Sequence, residues 1–379
     1  MFWLLAVPLG CLLVGSWVFC VLTVVAVRLY LAVRPPALAR PEPVSILKPL
    51  HGLDEGLEQN LRTFFEQDYP SFELLFAARD AADPGLALVE RLRAEYPHVP
   101  VRTYAAGEAP YPNAKVWSLS IMMREAAHDL LVMSDSDIRV TPEMLRVIAA
   151  EFQDPALGVA TCPYRAVPGG SAWSVLEAAG MNNEFWGGAL VARMVEGGVR
   201  FAVGPTIAAR RRVLEDIGGW ERLCQYLAED FVMGQFAAER GHGVILSSYV
   251  IEHRIGTQSM RPNFAHRLRW NRSTRRSRPA GYVGQIFTNP FPIALLCSAI
   301  FPALWPALIF TVVLRLIAAA AVFHAVLRDP LCRRRPWLIL AQDLLSFVFW
   351  IAGFFGNTIN WRGRQYLLLS DGRFQLIQR

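Results

Sequence analysis

From Met1 to Val27 the chain carries no charged side chain, and Arg28 and Arg34 follow. An uncharged run of this length suits a bilayer-crossing helix better than a short core helix, so this end of the chain is expected to fold in lipid. It lacks the basic start of a cleavable signal peptide, which predicts a retained anchor over residues 1–33. The first basic residues lie on its C-terminal side. The positive-inside rule therefore puts the N-terminus outside and the following residues in the cytosol.

A second apolar block runs from Pro290 to about Val326, with Pro302 and Pro306 interrupting it, and a further one runs from Trp337 to about Phe355. These predict membrane helices within residues 286–357, the first block forming two spans joined by a tight turn. The loop Arg328-Asp-Pro-Leu-Cys-Arg-Arg-Arg335 is basic, and so is the tail 358–379, with Arg362, Arg364, Arg373 and Arg379. Both flanks of the last span thus claim the inside, which makes a re-entrant or interfacial segment one resolution. The hydrophobic fraction of 53% agrees with partial residence in lipid. The net charge of +6 lies largely in Arg-rich segments beside the apolar blocks, where it favours anionic lipid or phosphate; nucleic acid is a poor alternative. Six cysteines without C-x-x-C spacing predict neither a disulfide framework nor a zinc site.

Between the apolar blocks, residues 34–285 open with a Pro-rich linker to Pro43 and then alternate short apolar runs with helical stretches. Val44 to Lys48, Phe72 to Ala78, Val101 to Tyr104, the run before Asp135, and Gly158 to Thr161 read as strands. Leu57 to Glu66, Leu86 to Glu95, the stretch after Asn113 and the one from Pro142 read as helices. A βαβα series of this spacing predicts an α/β fold, a parallel sheet covered on both faces that binds ligands at its strand C-terminal ends.

Acidic residues fall at those ends. In Asp129-Leu-Leu-Val-Met-Ser-Asp-Ser-Asp-Ile138, Asp135 and Asp137 are two residues apart, and in extended chain they would face the same way. They read either as turn and cap residues or as ligands for Mg2+ or Mn2+, hard cations that take oxygen donors. Asp80, after Phe72 to Ala78, is either a turn residue or a carboxylate for a nucleotide's base or ribose. Asn113 opens a helix as a candidate N-cap. Lys115 in its first turn is either solvated or held by an anion such as a diphosphate, since the helix dipole disfavours a cation there. Glu229 and Asp230 sit in a helical pattern with Leu227, Phe231 and Val232 around them, either as solvated acids or with one carboxylate set beside a cleft as a base. His266-Arg-Leu-Arg-Trp270 precedes Arg272, Arg275, Arg276 and Arg278; the outer arginines read as a membrane anchor, while Arg269 with Trp270 could stack a sugar and hold a phosphate.

Taken in order, Lys48-Pro-Leu50, Asp80, Asn113-Ala-Lys115, Asp135-Ser-Asp137, Glu229-Asp230, Arg269-Trp270 and the tail Asn360-Trp-Arg-Gly-Arg364 resemble the ceramide glucosyltransferases and their bacterial relatives. The resemblance covers nearly the whole chain. It implies a GT-A glycosyltransferase domain over 34–285, cytosolic and held at a bacterial inner membrane, and β-glycoside formation by inversion. It also implies that Asp80 meets the uracil or ribose, that Lys115, Asp135, Arg269 and Trp270 line the UDP-sugar, that Asp135 and Asp137 hold a metal diphosphate, and that Asp230 deprotonates the acceptor. The implied partners are a UDP-sugar and a membrane lipid within the bilayer, ceramide or a similar sphingolipid. One position departs from the family pattern, which has Gln or Arg where this chain has His266. A hopanoid polyol is the rival acceptor, a processive polysaccharide synthase the next alternative, and a catalytically silent lipid-binding scaffold the alternative outside enzymes.

Overall fold

The computed structural model describes residues 2–361 and 364–378; Met1, Arg362, Gly363 and Arg379, and with them part of the basic tail, lie outside the described residues. The chain forms two compact units: residues 34–167, 198–256 and 369–379 make one, and residues 1–33, 168–197 and 257–368 the other.

The first is an α/β unit. Its strands and helices begin with β1 (Val44–Pro49), α1 (Leu57–Phe65), β2 (Phe72–Ala78), α2 (Pro84–Glu95), β3 (Val101–Ala105), α3 (Ala114–Glu125) and β4 (Leu130–Ser134). They continue with β5 (Ile138–Arg139), α4 (Met144–Glu151), β6 (Leu157–Thr161), β7 (Tyr164–Pro168), β8 (Thr206–Arg210), α5 (Arg211–Asp216), α6 (Gly219–Leu223), α7 (Glu229–Glu239), β9 (Gly243–Leu246) and β10 (Ile251–Gly256). Local chemistry accounts for several of these. In α1, Leu57, Leu61, Phe64 and Phe65 are buried at helical spacing. Asp83 accepts the Gly85 N–H at 2.8 Å and Pro84 occupies the first turn of α2.

The main sheet has the order β3-β2-β1-β4-β8-β6-β9. Pairings β1 with β2 and β4, and β2 with β3, are parallel, as the βα alternation predicts. The sheet is nevertheless mixed, because β8 runs antiparallel to both β4 and β6. Its register sets Thr206 opposite Ser134, so the residues just before β8 lie at the C-terminal end of β4. Leu47, Leu75, Leu131, Met133 and Ile207 of the sheet share a core with Val116, Leu119 and Met122 of α3 and with Val232, Met233 and Phe236 of α7.

The second unit is mainly helical. It contains α8 (Phe2–Ala32), α9 (Ala172–Gly180), a π-helical turn (Met181–Phe185), α10 (Trp186–Val195), α11 (Met260–Ser277), α12 (Pro279–Gly284), α13 (Pro290–Ile300), α14 (Trp305–Ala320), α15 (Pro330–Arg334) and α16 (Trp337–Gly353), then the antiparallel hairpin of β11 (Thr358–Trp361) and β12 (Arg364–Leu368). Among the described residues two helices are long and apolar enough to cross a membrane, Leu5–Ala32 and Pro302–Val326. The block from Pro290 contains the second of these and, before it, a shorter helix. Its α13 is only 11 residues long, and Pro290–Ile300 bends by 62° from Pro279–Thr288, the shape of a broken span or a re-entrant loop. Trp337–Gly353 is shorter, with 17 residues. Arg315 and Asp343, 4% and 1% exposed, pair at 2.7 Å between α14 and α16.

Candidate active site

The acidic pair does not lie in extended chain. β4 ends at Ser134, and Asp135, Ser136 and Asp137 make the turn into β5, so the two carboxylates take separate partners. Asp135 Oδ1 is 2.8 Å from Lys115 Nζ. Asp137 Oδ2 is 3.1 Å from His253 Nε2, which β10 delivers by pairing His253 with Ile138. The turn is fixed from below: Lys48, fully buried on β1, donates to the Asp135 carbonyl at 2.8 Å and to Ser134 Oγ at 3.3 Å. The Lys48 ammonium also lies 3.5 Å from the Phe64 ring centre.

Lys115 connects this turn to α7. Its Nζ lies 3.4 Å from Glu229 Oε1. Glu229 in turn accepts from Asn113 Nδ2 at 3.1 Å, while Asn113 Oδ1 caps α3 by accepting the Val116 N–H at 3.3 Å. Asn113 is therefore the N-cap its sequence context allows, and a link to α7 besides. Asp230 Oδ2 accepts the backbone N–H of Gly204 at 2.5 Å. Gly204 comes within reach because β8 runs antiparallel to β4, and Asp135 N–H donates to Pro205 O at 3.0 Å beside it. Both acids sit in the first turn of α7, where the helix dipole favours negative charge.

These contacts set the protonation behaviour. Burial raises the Asp135 carboxyl, with Lys115 opposing the rise and Asp137 adding to it. Burial works on Asp137 in the same direction but is outweighed by His253 and the two lysines, so that carboxyl is lowered. Asp230 is pushed up to about 6, by burial first and by Glu229 next. Lys48 is lowered to about 7 by burial, against the pull of Asp135 and Asp137. Burial would also lower Lys115, but Asp135 and Glu229 overcome it and hold the ammonium raised.

The cluster fits a divalent cation on two grounds. With the carboxylates and both lysines ionised and His253 neutral, Asp135, Asp137, Glu229 and Asp230 against Lys48 and Lys115 leave two negative charges uncompensated, and Asp137 Oδ1 is buried without a hydrogen-bond partner. Among the described residues no group of three or more His, Cys, Asp or Glu could hold a metal ion. Two carboxylates completed by phosphate oxygens and water is the arrangement that Mg2+ favours at nucleotide sites.

The structure thus brings together Lys115, Asp135, Glu229 and Asp230, with Asp137 in the same turn. Asp80 is exposed just past the end of β2, where its Oδ1 accepts the Ala82 N–H at 3.0 Å and forms a turn. Arg269 and Trp270 lie on α11 in the helical unit. The outer arginines expected at the membrane surface have intramolecular partners: Arg272 donates to Phe355 O at 3.0 Å, Arg275 to Phe354 O and to Gly356 O, and Arg278 pairs with Glu196. Sequence reasoning gave no role to Lys48, Gly204 or His253. Only Lys48 carried a signal, a lysine inside a buried strand; the other two are joined to the site by strand pairing alone.

A family model described as glycosyl transferase family 21 matches residues 9–374. Ceramide glucosyltransferase 1 of Caenorhabditis elegans is 28% identical over 211 residues, covering 54% of this chain and 44% of that protein. An N-acetylglucosaminyltransferase of Rhizobium meliloti is 24% identical over 255 residues, covering 63% of this chain and 57% of that protein. The chain therefore spans about half the length of each of these relatives. Among solved structures, a mannosyltransferase from Pyrobaculum calidifontis in complex with GDP-Man and Mn2+ is 18% identical, with a TM-score of 0.53 over 91% of this chain and 97% of that one. At that identity the likeness is one of fold.

Proposed function

Because the chain belongs to glycosyl transferase family 21, we propose that it moves one hexose, glucose before others, from a UDP-sugar to the hydroxyl of a membrane lipid, ceramide or a similar sphingolipid. It is a sugar-transferring enzyme with a GT-A fold. The observation that carries the finer reading is the single lysine that joins the acidic turn after β4 to Asp230's helix: Lys115 lies 2.8 Å from Asp135 and 3.4 Å from Glu229, the residue before Asp230.

In this reading Asp135 and Asp137 hold a divalent cation, which would supply charge neutralisation for the departing diphosphate. Lys115 adds a fixed positive charge beside the same oxygens, and Asp80 meets the uracil or ribose. Asp230, held by the Gly204 N–H, takes the proton of the acceptor hydroxyl as its oxygen attacks C1 and the bond from C1 to the diphosphate breaks. A carboxylate raised to about 6 is ionised at neutral pH yet basic enough to share that proton. Attack opposite the nucleotide inverts C1 and gives a β-glycoside. Arg269 and Trp270 line the junction of donor and acceptor. The anchor holds the catalytic unit on the cytosolic face of the membrane, in a bacterium the inner membrane.

The named activity of the C. elegans relative supports glucose and ceramide. A second reading, transfer of N-acetylglucosamine to a hopanoid polyol, draws its sugar from the R. meliloti relative, which aligns over more residues. Membranes containing the protein, offered several UDP-sugars with ceramide and hopanoid acceptors and assayed by mass spectrometry of the lipid products, distinguish the two. A single sugar on one lipid class, lost in Asp135→Asn and Asp230→Asn, is the expected result. Transfer unchanged in both variants, a long polymer, or no lipid-linked sugar with any donor overturns the reading.

A further inference from the structure

The basic loop before α16 and the basic hairpin after it claim the same side of the membrane, and an α16 that crossed would separate them. Its length is against crossing. At about 1.5 Å per residue its 17 residues reach about 25 Å, short of a hydrocarbon core of about 30 Å. The neighbouring helix is decisive. Gln342 of α16 accepts from Arg267 Nη1 at 3.1 Å, Phe349 meets Phe264 edge-on with ring centres 5.0 Å apart, and Gly353 packs against Tyr282 and Asn271. Just past the end of α16, the carbonyls of Phe354 and Phe355 accept from Arg275 and Arg272. From its second turn onward α16 therefore lies beside α11, which carries six arginines and no acid between Met260 and Ser277. A helix so charged is not sustained in hydrocarbon, and the helix packed along it shares its polar depth.

The two faces of α16 differ accordingly. Leu338, Ile339, Gln342, Asp343 and Phe349 are buried in the protein. On the other face Trp337, Val348 and Phe355 are 61%, 60% and 68% exposed, and with Leu344 and Ile351 they form an apolar stripe at helical spacing. The side of the membrane follows from α8 and α14, which run in the same sense. Leu9, Leu12 and Leu13 share an apolar cluster with Ala307 and Leu308, and farther along both helices Trp17 Nε1 donates to Thr311 Oγ1 at 2.8 Å. The loop after α14 thus emerges on the side where α8 ends, with Arg28 and Arg34.

We propose that α16 lies in the membrane surface with its apolar stripe seated in lipid, and that the loop 328–335 and the hairpin of β11 and β12 both stay on the side where α8 ends. Lipid is the occupant of the stripe because the same unit carries the two helices that can cross, and because Arg333, Arg334 and Arg335 at the start of α16 suit an anionic leaflet. The placement is independent of the reaction catalysed.

The test uses the full chain in membrane vesicles. Cys11, the exposed native cysteine, is replaced in Cys11→Ser, and single cysteines are added at the exposed positions Ala37, Arg334 and Asn360. The parent, whose other five cysteines are buried, should not react with a membrane-impermeant maleimide. Ala37→Cys, Arg334→Cys and Asn360→Cys should all be labelled in vesicles of one orientation and all be protected in the other. Labelling of any one of them from the opposite side overturns the proposal. Nitroxides on Leu344→Cys, Val348→Cys and Ile351→Cys then report depth by electron paramagnetic resonance in vesicles containing anionic lipid. All three should be open to oxygen at one shallow depth, about 5–10 Å into the boundary of head groups and acyl chains. A depth that changes by about 10 Å from Leu344 to Ile351, as a crossing helix requires, overturns the proposal. So do labels shielded from oxygen and broadened by one another, the result if a second copy of the chain covers the stripe.

Discussion

Lys115 Nζ lies 2.8 Å from Asp135 Oδ1 and 3.4 Å from Glu229 Oε1, so one ammonium joins the turn after β4 to the first turn of α7. Removing it changes the charge of the cluster by one unit, and two ligands of opposite sign should respond oppositely. Lys115→Met is expected to tighten bare Mn2+ and to weaken the UDP-sugar, each by roughly tenfold, well inside the ~4 kcal/mol that two unit charges exchange at about 4 Å with an effective dielectric of about 20. Titration of free Mn2+ by electron paramagnetic resonance and the UDP-sugar Michaelis constant check the two signs. Equal shifts in the same direction would refute the electrostatic account.

Asp230 accepts a proton only when ionised, and burial with Glu229 pushes it up to about 6. Below that pH the protonated form dominates, so kcat/KM should fall about tenfold per unit as pH drops and level off above it. Glu229→Gln removes one of the two causes and should move the limb to lower pH. Asp230→Asn should abolish the limb and cost roughly 10²–10⁴ in rate. Profiles from about pH 5 to pH 8 at saturating cation decide the point; a limb that survives in Asp230→Asn assigns it to another group.

Gly204 offers its N–H to Asp230, and a Cβ at this position would lie 2.8 Å from Asp230 Oδ2 and 3.5 Å from Lys115 Nζ. Gly204→Ala must therefore displace Asp230, Lys115 or the approach to β8. Overpacking of this kind costs about 1–3 kcal/mol. The expected outcome is a folded protein with kcat down by roughly tenfold or more, since the displaced groups are the ones proposed to act in the transition state. Wild-type kcat in Gly204→Ala would remove Asp230 from its proposed place.

Within the helical unit, Arg315 pairs with Asp343 through two bonds, at 2.7 and 2.9 Å, and donates to Asn183 Oδ1 at 2.6 Å. Breaking a buried pair leaves the other charge without compensation. Arg315→Leu and Asp343→Leu are each expected to destabilise by about 3–5 kcal/mol, and the double variant to recover most of the loss. Thermal melting in detergent reads this. Additive losses in the double variant would mean that the two side chains are not coupled.

Much of the α/β fold was legible from residue order. Each run that alternates βα in the sequence from Val44 to Glu151 is a strand or helix at nearly the expected place, because burial on both faces of a sheet forces unbroken apolar runs and an amphipathic helix repeats every three to four residues. Asp135, Lys115 and Asp230 were legible as candidates, Lys115 because a cation in a helix's first turn is disfavoured without an anion beside it, and the two acids because carboxylates bordered by apolar residues are rarely buried unpaired.

Periodicity reports local burial and nothing about chain direction, so the antiparallel course of β8 was invisible, and with it the Gly204 N–H that holds Asp230. A strand pattern also does not say where extended chain stops: Asp135 and Asp137 lie in a turn, and each found a different cation or imidazole partner from a distant strand or helix. The contacts of His253 and of the arginines after Trp270 were decided in the same way, by partners far off in the chain. By itself the sequence determined which residues are costly to bury and which segments are apolar enough for lipid. Only the tertiary structure decided which charges meet, because that depends on strand order and direction, which are properties of long-range pairing that no local window contains.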